Sequence, residues 1–277
     1  MNCVKCICAG AFAVFASVPA AAATFVNGGF ETGTTAGWST GEGYRGGVDN
    51  AALTPSSVLP GGSLYDGPAT RSGVVSAGTV DPTIGASFGS TVYAGNNAYR
   101  IEDTSSGGYA SAISQKVTGY TDSTIIFAWK AVLENGGHDP ADSAFFRIVL
   151  RDDTTGRDVI SRTYDAGAEG GGVDSRFSAL GDYFYTSQWQ IENLVIDSSL
   201  LGHDFTLALL AADCLPTGHL GYAYLDGFGG SITNPPPIDP PPGGNPPPTG
   251  QVPLPGTLAL LGLGMASLSA ARRRKAA

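Results

Sequence analysis

Between residues 109 and 133 the chain carries two different strand patterns in succession. Tyr109 to Val117 (YASAISQKV) alternates: Ala110, Ala112, Ser114 and Lys116 share one face, and Tyr109, Ser111, Ile113, Gln115 and Val117 share the other. Thr124 to Leu133 (TIIFAWKAVL) is almost continuously apolar, as a strand covered on both faces is. Neither run has the three-and-four spacing of an amphipathic helix, and no helix-length pattern occurs elsewhere in the body. Short β-branched and aromatic runs recur instead, set apart by Gly, Asp, Asn, Ser and Thr.

Thr24 to Glu31 reads as a first strand, and Thr91 to Tyr93 and Asn97 to Ile101 as further ones. Ala144 to Arg151 and Asp158 to Tyr164 flank a turn that contains Gly156, which predicts a hairpin. Gln188 to Ile196 directs Trp189, Ile191, Leu194 and Ile196 to the core. Asp197 to Gly202 fits one helical turn before a strand from Asp204 to Leu210, and Gly221 to Phe228 is the last strand. Asn50 to Asp81 is rich in Gly, Pro and Ser and reads as a long loop or insertion. Roughly eight to ten strands without a long helix predict an all-β domain over residues 24–232. The expected form is an antiparallel two-sheet β-sandwich of jelly-roll type.

The two ends have a different character. Residues 1–23 carry Lys5, an apolar run from Ile7 to Val18 and Ala21-Ala22-Ala23, the pattern of a secretory signal peptide. Cys3, Cys6 and Cys8 would leave with it, so Cys214 stands alone and the domain must be stable without an internal disulfide. After residue 232 three proline triplets, broken by Gly243-Gly244, predict an extended polyproline linker over 233–251. Residues 252–277 hold a short motif (Val252, Pro253, Leu254, Pro255), an uncharged Leu/Ala/Gly run, and a basic end (Arg272, Arg273, Arg274, Lys275). A helix from Val252 to Ala271 rises roughly 30 Å, about one hydrocarbon core. The basic end would stay cytoplasmic, which places the body outside the inner membrane.

This three-part end resembles the PEP-CTERM sorting signal, and more closely its VPLPA-type variants. Leu254 stands where the founding motif has glutamate. The resemblance implies recognition by an exosortase, cleavage near the proline motif, and release to the cell surface or extracellular matrix. An ordinary C-terminal anchor would share the apolar run and basic end but has no need of the proline motif. Removing Lys5 and the four tail cations leaves ten basic residues against 24 acidic ones, about −14, which repels nucleic acid and anionic lipid.

Asn27-Gly28-Gly29-Phe30-Glu31 with Trp38, and Tyr224-Leu225-Asp226-Gly227 near the end, resemble the opening and closing strands of galactose-binding-like jelly rolls, carbohydrate-binding modules among them. The resemblance implies that the two ends meet and that a structural Ca²⁺ sits there, with Glu31 and Asp226 as carboxylates and backbone near Asn27 as carbonyls. A capped turn and a solvated strand end would account for the same two acids. Trp38, Tyr44, Tyr65 and Tyr183 lie in loop-like, Gly-rich segments and are the candidate rings for stacking on a sugar, here an exopolysaccharide.

No H-E-x-x-H or P-loop motif occurs. Cys214 and His219 supply two metal ligands at loose spacing, and His138 lies far away in sequence. A small buried cysteine and loop histidines account for them. The expected role is therefore non-enzymatic: a surface protein that binds carbohydrate, with a purely structural or adhesive protein as the first alternative and a polysaccharide-active enzyme as the second.

Overall fold

The computed structural model describes residues 24–167 and 173–230. The signal peptide, the proline linker, the Val252–Pro255 motif, the tail helix and the Arg272–Lys275 end lie outside the described residues. Among the described residues no helix is long and apolar enough to cross a membrane.

Among the described residues twelve strands form two antiparallel sheets. The strands are β1 (Ser39–Tyr44), β2 (Gly73–Ser76), β3 (Asn97–Ile101), β4 (Tyr109–Val117), β5 (Thr124–Glu134) and β6 (Phe145–Asp152). They continue with β7 (Arg157–Asp165), β8 (Phe177–Leu180), β9 (Tyr183–Thr186), β10 (Gln190–Val195), β11 (Phe205–Ala212) and β12 (Gly221–Gly229). One sheet of five has the order β1-β4-β11-β6-β7. The other, of seven, runs β2-β3-β12-β5-β9-β8, with β10 also paired to β5. This is an antiparallel β-sandwich of jelly-roll type.

The inner faces follow from alternation. Ile113 and Val117 of β4, Ile148 and Leu150 of β6, and Leu207 and Leu209 of β11 point inward. They meet Phe127, Trp129 and Leu133 of β5 and Leu225 of β12. Each such side chain contributes about 1.5–3 kcal/mol on leaving water. β5 is buried on both faces, as its composition predicts, and the β6–β7 hairpin forms around Gly156, which has a positive φ.

The insertion after β1 extends to residue 95 and does more than connect strands. It contains a helical turn, α1 (Pro55–Val58), and strand β2. Leu53 and Val58 pack on Ala110, Ala112, Leu210 and Ala212, the outer face of the five-stranded sheet. Ile84 and Phe88 pack on Val132, Tyr222 and Tyr224, the outer face of the seven-stranded sheet.

Three strand expectations are corrected. Residues 24–31 form consecutive turns, not a strand. Asn27 and Phe30 take positive φ (53° and 55°), and the Asn27 amide donates to Thr34 O at 2.8 Å, closing a loop. The Phe30 ring is driven into the core against Tyr99, centroids 5.3 Å apart, which compensates an unfavourable backbone. Thr91–Tyr93 is not a strand either, because the Tyr93 N–H donates to a carboxylate, not to a neighbouring strand. In β10 and just after it Leu194 and Ile196 are buried as expected, but Ile191 is 48% exposed, and Glu192 takes an inward position, bonded to Trp129 Nε1 and Arg162.

Candidate functional site

Three places in the molecule bring chemistry-bearing side chains together. The first is the corner where the two ends of the domain meet. Phe228 N–H donates to Gly28 O at 3.0 Å, so the opening and closing segments touch as expected. A bulge after Asp226 turns its side chain toward residues 93–97. Its Oδ2 accepts from Tyr93 N at 2.9 Å and Ala94 N at 3.0 Å. Glu31 takes the other half of the same loop, accepting from Asn96 N at 3.0 Å and Asn97 N at 3.1 Å. The two acids thus share one loop.

Oδ1 of Asp226 is buried and has no hydrogen-bond partner. A Cβ on Gly29 would stand 3.5 Å from it, so glycine leaves room there. Burial pushes the Asp226 carboxyl up to about 7, the Ala94 and Tyr93 amides oppose this, and the charge on Glu31 adds to it. An unpaired buried carboxylate oxygen fits a cation, whereas Glu31 is already engaged by backbone donors. Asn27 has its polar groups engaged in its own loop. Its side chain closes the 27–36 loop, and its carbonyl accepts from Phe30 N at 3.1 Å and Trp38 Nε1 at 3.3 Å.

The second place involves the aromatic rings. Trp38 is 8% exposed and packs with Phe25, Phe30 and Phe228, so it belongs to the core and is corrected as a sugar-facing ring. Tyr183 lies in strand β9, not in a loop, and packs half-buried against the cluster beneath residue 88. Tyr44 ends the edge strand β1 and is 49% exposed. Its ring meets that of Tyr109 at 5.6 Å, and the Arg71 guanidinium lies 4.2 Å over the Tyr109 centroid. A bridge between Glu42 and Gly67 runs residues 64–67 alongside β1 and brings half-buried Tyr65 to the same sheet edge as Tyr44. Tyr109 and Arg71 are additions that strand periodicity alone did not single out.

The third place is the opposite pole, where the β5–β6 and β11–β12 loops lie side by side. His138 Nε2 stands 3.0 Å from His219 Nδ1, and Cys214 Sγ stands 3.4 Å from the same nitrogen. All three ligand atoms lie within 4.8 Å of one another. The sulfur is buried and the two rings are half-buried. Beneath them Arg45 is fully buried and donates to Asp213 O at 2.5 Å and Asn50 Oδ1 at 2.6 Å. Burial lowers the Arg45 pKa, and the nearby carboxylates of Asp142, Asp213 and Asp49 oppose this. Asp213, next in sequence to Cys214, is pushed up to about 7 by burial and then by the charge of Glu102. The sequence offers His138 as a partner for Cys214, but with 76 positions between them a buried cysteine and loop histidines account for both. The signal was available only after β5 was paired with β12 and β6 with β11, which puts both loops at one end.

No curated protein matches the chain. Among solved structures the TmCBM61 module, determined with β-1,4-galactotriose, is similar at 12% identity and a TM-score of 0.40, over 74% of this chain and 96% of that one. A CBM28 carbohydrate-binding module specific for non-crystalline cellulose matches at 12% identity and a TM-score of 0.35, over 73% and 92%. The family 11 carbohydrate-binding module of Clostridium thermocellum, with a β-1,3-1,4-mixed-linked tetrasaccharide, matches at 9% identity and 0.31, over 76% and 96%. These likenesses are loose, and the sandwich itself is defined by the sheets described above. Residues 251–275 match the PEP-CTERM protein-sorting motif.

Proposed function

We propose that this chain is exported, processed by an exosortase at its C-terminal motif, and displayed at the cell surface or in the extracellular matrix. There its sandwich binds carbohydrate without catalysis. The observation that carries the first part is the match of residues 251–275 to a protein-sorting motif, joined to an N-terminal stretch of signal-peptide pattern. Mass spectrometry of the surface-exposed protein tests it: a mature chain lacking Arg272 to Lys275 is expected. A surface chain that retains them overturns processing.

Carbohydrate binding is supported by the Tyr44 and Tyr109 rings at the β1 edge, with Tyr65 and Arg71 beside them. A flat ring offers an apolar surface to a pyranose, and guanidinium and carboxylate groups nearby offer donors and acceptors to its hydroxyls. A glycan array on the purified chain is expected to find a polysaccharide ligand. Tyr44→Ala should weaken it by up to about tenfold, the scale of one aromatic contact. No binding above background would favour a structural or adhesive role, a reading that has its own support. Both outer sheet faces are partly covered by the chain's own residues 48–64 and 77–95, so neither offers a long open aromatic row.

Calcium belongs to the same proposal. Asp226 Oδ1 would be its anchor, with Glu31 as the second carboxylate after some of its amide bonds give way. Ca²⁺ takes six to eight oxygens, so most must come from backbone and water. Added Ca²⁺ is expected to raise the unfolding temperature of the chain and to have no effect on Asp226→Asn. A chain indifferent to both Ca²⁺ and chelator rules this out.

A further inference from the structure

The pole that carries Cys214 poses a hydrogen-bonding problem. Nδ1 of His219 has one in-plane site, either a lone pair or a proton. Two atoms compete for it: His138 Nε2 at 3.0 Å and Cys214 Sγ at 3.4 Å. Whatever the tautomer, one proton cannot serve all three atoms. A single cation placed between them can.

The distances fit that cation. With metal–nitrogen bonds of about 2.0–2.1 Å and metal–sulfur bonds of about 2.3 Å, tetrahedral ligands stand roughly 3.3 Å (N···N) and 3.5 Å (N···S) apart. The observed 3.0 and 3.4 Å need to open by only a few tenths of an ångström, and His138 Nε2 and Cys214 Sγ, within 4.8 Å of each other, must stand roughly 3.5 Å apart. We infer that His138, His219 and Cys214 form a transition-metal site for Zn²⁺, with its fourth position open to solvent. Thiolate with imidazole is a donor set that zinc accepts and that calcium and magnesium do not. Three protein ligands and one open position is the arrangement of a zinc site that can also take an exogenous ligand.

The scaffold holds these three side chains together by bonds that do not involve them. Glu134 N–H donates to Leu220 O at 2.9 Å, and Leu220 N–H donates back to Glu134 Oε2 at 3.0 Å. Leu215 N–H donates to Asp142 O at 2.7 Å. Asn50 Nδ2 donates to Pro140 O at 2.6 Å and Ser143 O at 3.0 Å, while Arg45 holds both Asn50 and Asp213. Thr217 adopts a φ of 73° to close the turn between Cys214 and His219, a conformation a β-branched residue rarely takes. Gly136 is required as well: a Cβ there would stand 2.2 Å from His219 Nδ1. Only glycine lets the β5–β6 loop pass behind the imidazole at that distance.

Co²⁺ is the probe, because a cobalt–thiolate bond is visible by its charge-transfer absorption. Titration of the purified full-length chain is expected to give that band at one equivalent, and Zn²⁺ should displace it. Cys214→Ser keeps Cys3, Cys6 and Cys8 and should lose the band, which assigns it to Cys214. His138→Ala, in an exposed loop, should weaken Zn²⁺ by at least the roughly 10–100-fold that loss of a ligand's supporting partner costs. Gly136→Ala should weaken Zn²⁺ comparably while leaving the β-sheet circular dichroism unchanged. Absence of the band, or a band unchanged in Cys214→Ser, overturns the assignment. Zn²⁺ affinity unchanged in both His138→Ala and Gly136→Ala overturns it too. None of these readouts depends on sugar binding.

Discussion

The outer faces of the two sheets are covered by consecutive stretches of one insertion, and by different physics. Over the five-stranded sheet, residues 48–64 bring Leu53, Val58, Leu59 and Leu64 onto small side chains, Ala110, Ala112 and Ala212. The approach is close enough to need glycine in the edge strand: a Cβ on Gly41 would meet Val58 O at 2.1 Å, and one on Gly43 would meet Leu64 O at 1.7 Å. Over the seven-stranded sheet, residues 77–95 cover tyrosines and a lysine. Buried Asp81 accepts from Tyr222 OH at 2.9 Å, Tyr224 OH at 3.0 Å and Ile84 N at 2.7 Å. Lys130 donates to Phe88 O and lies 4.1 Å under the Phe88 ring. A face of alanines needs only apolar cover, whereas a face of phenols and an ammonium needs a cover that brings acceptors.

This contrast can be tested by removing one element from each cover. Asp81→Ala should be the most damaging. It leaves two phenol hydroxyls and an amide buried without an acceptor, a loss of about 3–5 kcal/mol by urea unfolding. A loss below about 1 kcal/mol would show that water enters beneath residues 77–95 and that the cover is not dry. Leu53→Ala comes next, at about 3 kcal/mol, from lost apolar contact and the cavity left behind. It should not alter the Tyr222 and Tyr224 environment seen by near-ultraviolet circular dichroism.

The smallest effect concerns pH. Asp226 anchors the end of the polar cover through Tyr93 and Ala94, and its folded pKa of about 7 lies above its ordinary 3.8. The neutral acid is the form the fold prefers. Its stabilisation is therefore complete below about pH 4 and is lost as pH rises through 7. Asp226→Asn should gain on the order of 1–3 kcal/mol at pH 8 without added metal, and nothing at pH 4. Equal stability of the two proteins at both pH values would mean that the carboxylate is solvated in solution. Asp213, also held near 7, should leave a residual slope in the variant.

Much of the sandwich was legible because its central strands are written in side chains that do one thing. β4 alternates cleanly and β5 is apolar throughout, and their observed bounds match the expected ones within a residue. β1 was not legible. Its sequence, STGEGY, has glycine at two of six positions because residues 58–64 need the space above Gly41 and Gly43. β2 was hidden inside an aperiodic insertion for want of length. Residues 24–31 misled in the opposite sense: strand-like composition, but an asparagine and a phenylalanine whose left-handed backbone only the packed core makes tolerable. Of the candidate site, the touching of the two ends was readable from its motif residues. The meeting of His138 with Cys214 and His219 was not, because strand pairing, not spacing along the chain, creates it.

β12 runs the length of the sandwich, from Gly221 beside the histidines to Gly229 beside the opening turns. The eight rises from Gly221 to Gly229, at about 3.3 Å each, separate those ends by roughly 26 Å. The chain enters at residue 24 and leaves after residue 230 at the same end, since Thr124 bonds Gly230 O and Phe228 bonds Gly28 O. The thiol, the two imidazoles and the Tyr44–Tyr109 pair sit together at the other end of the sandwich, where Asp213 N–H donates to Tyr109 O at 2.9 Å.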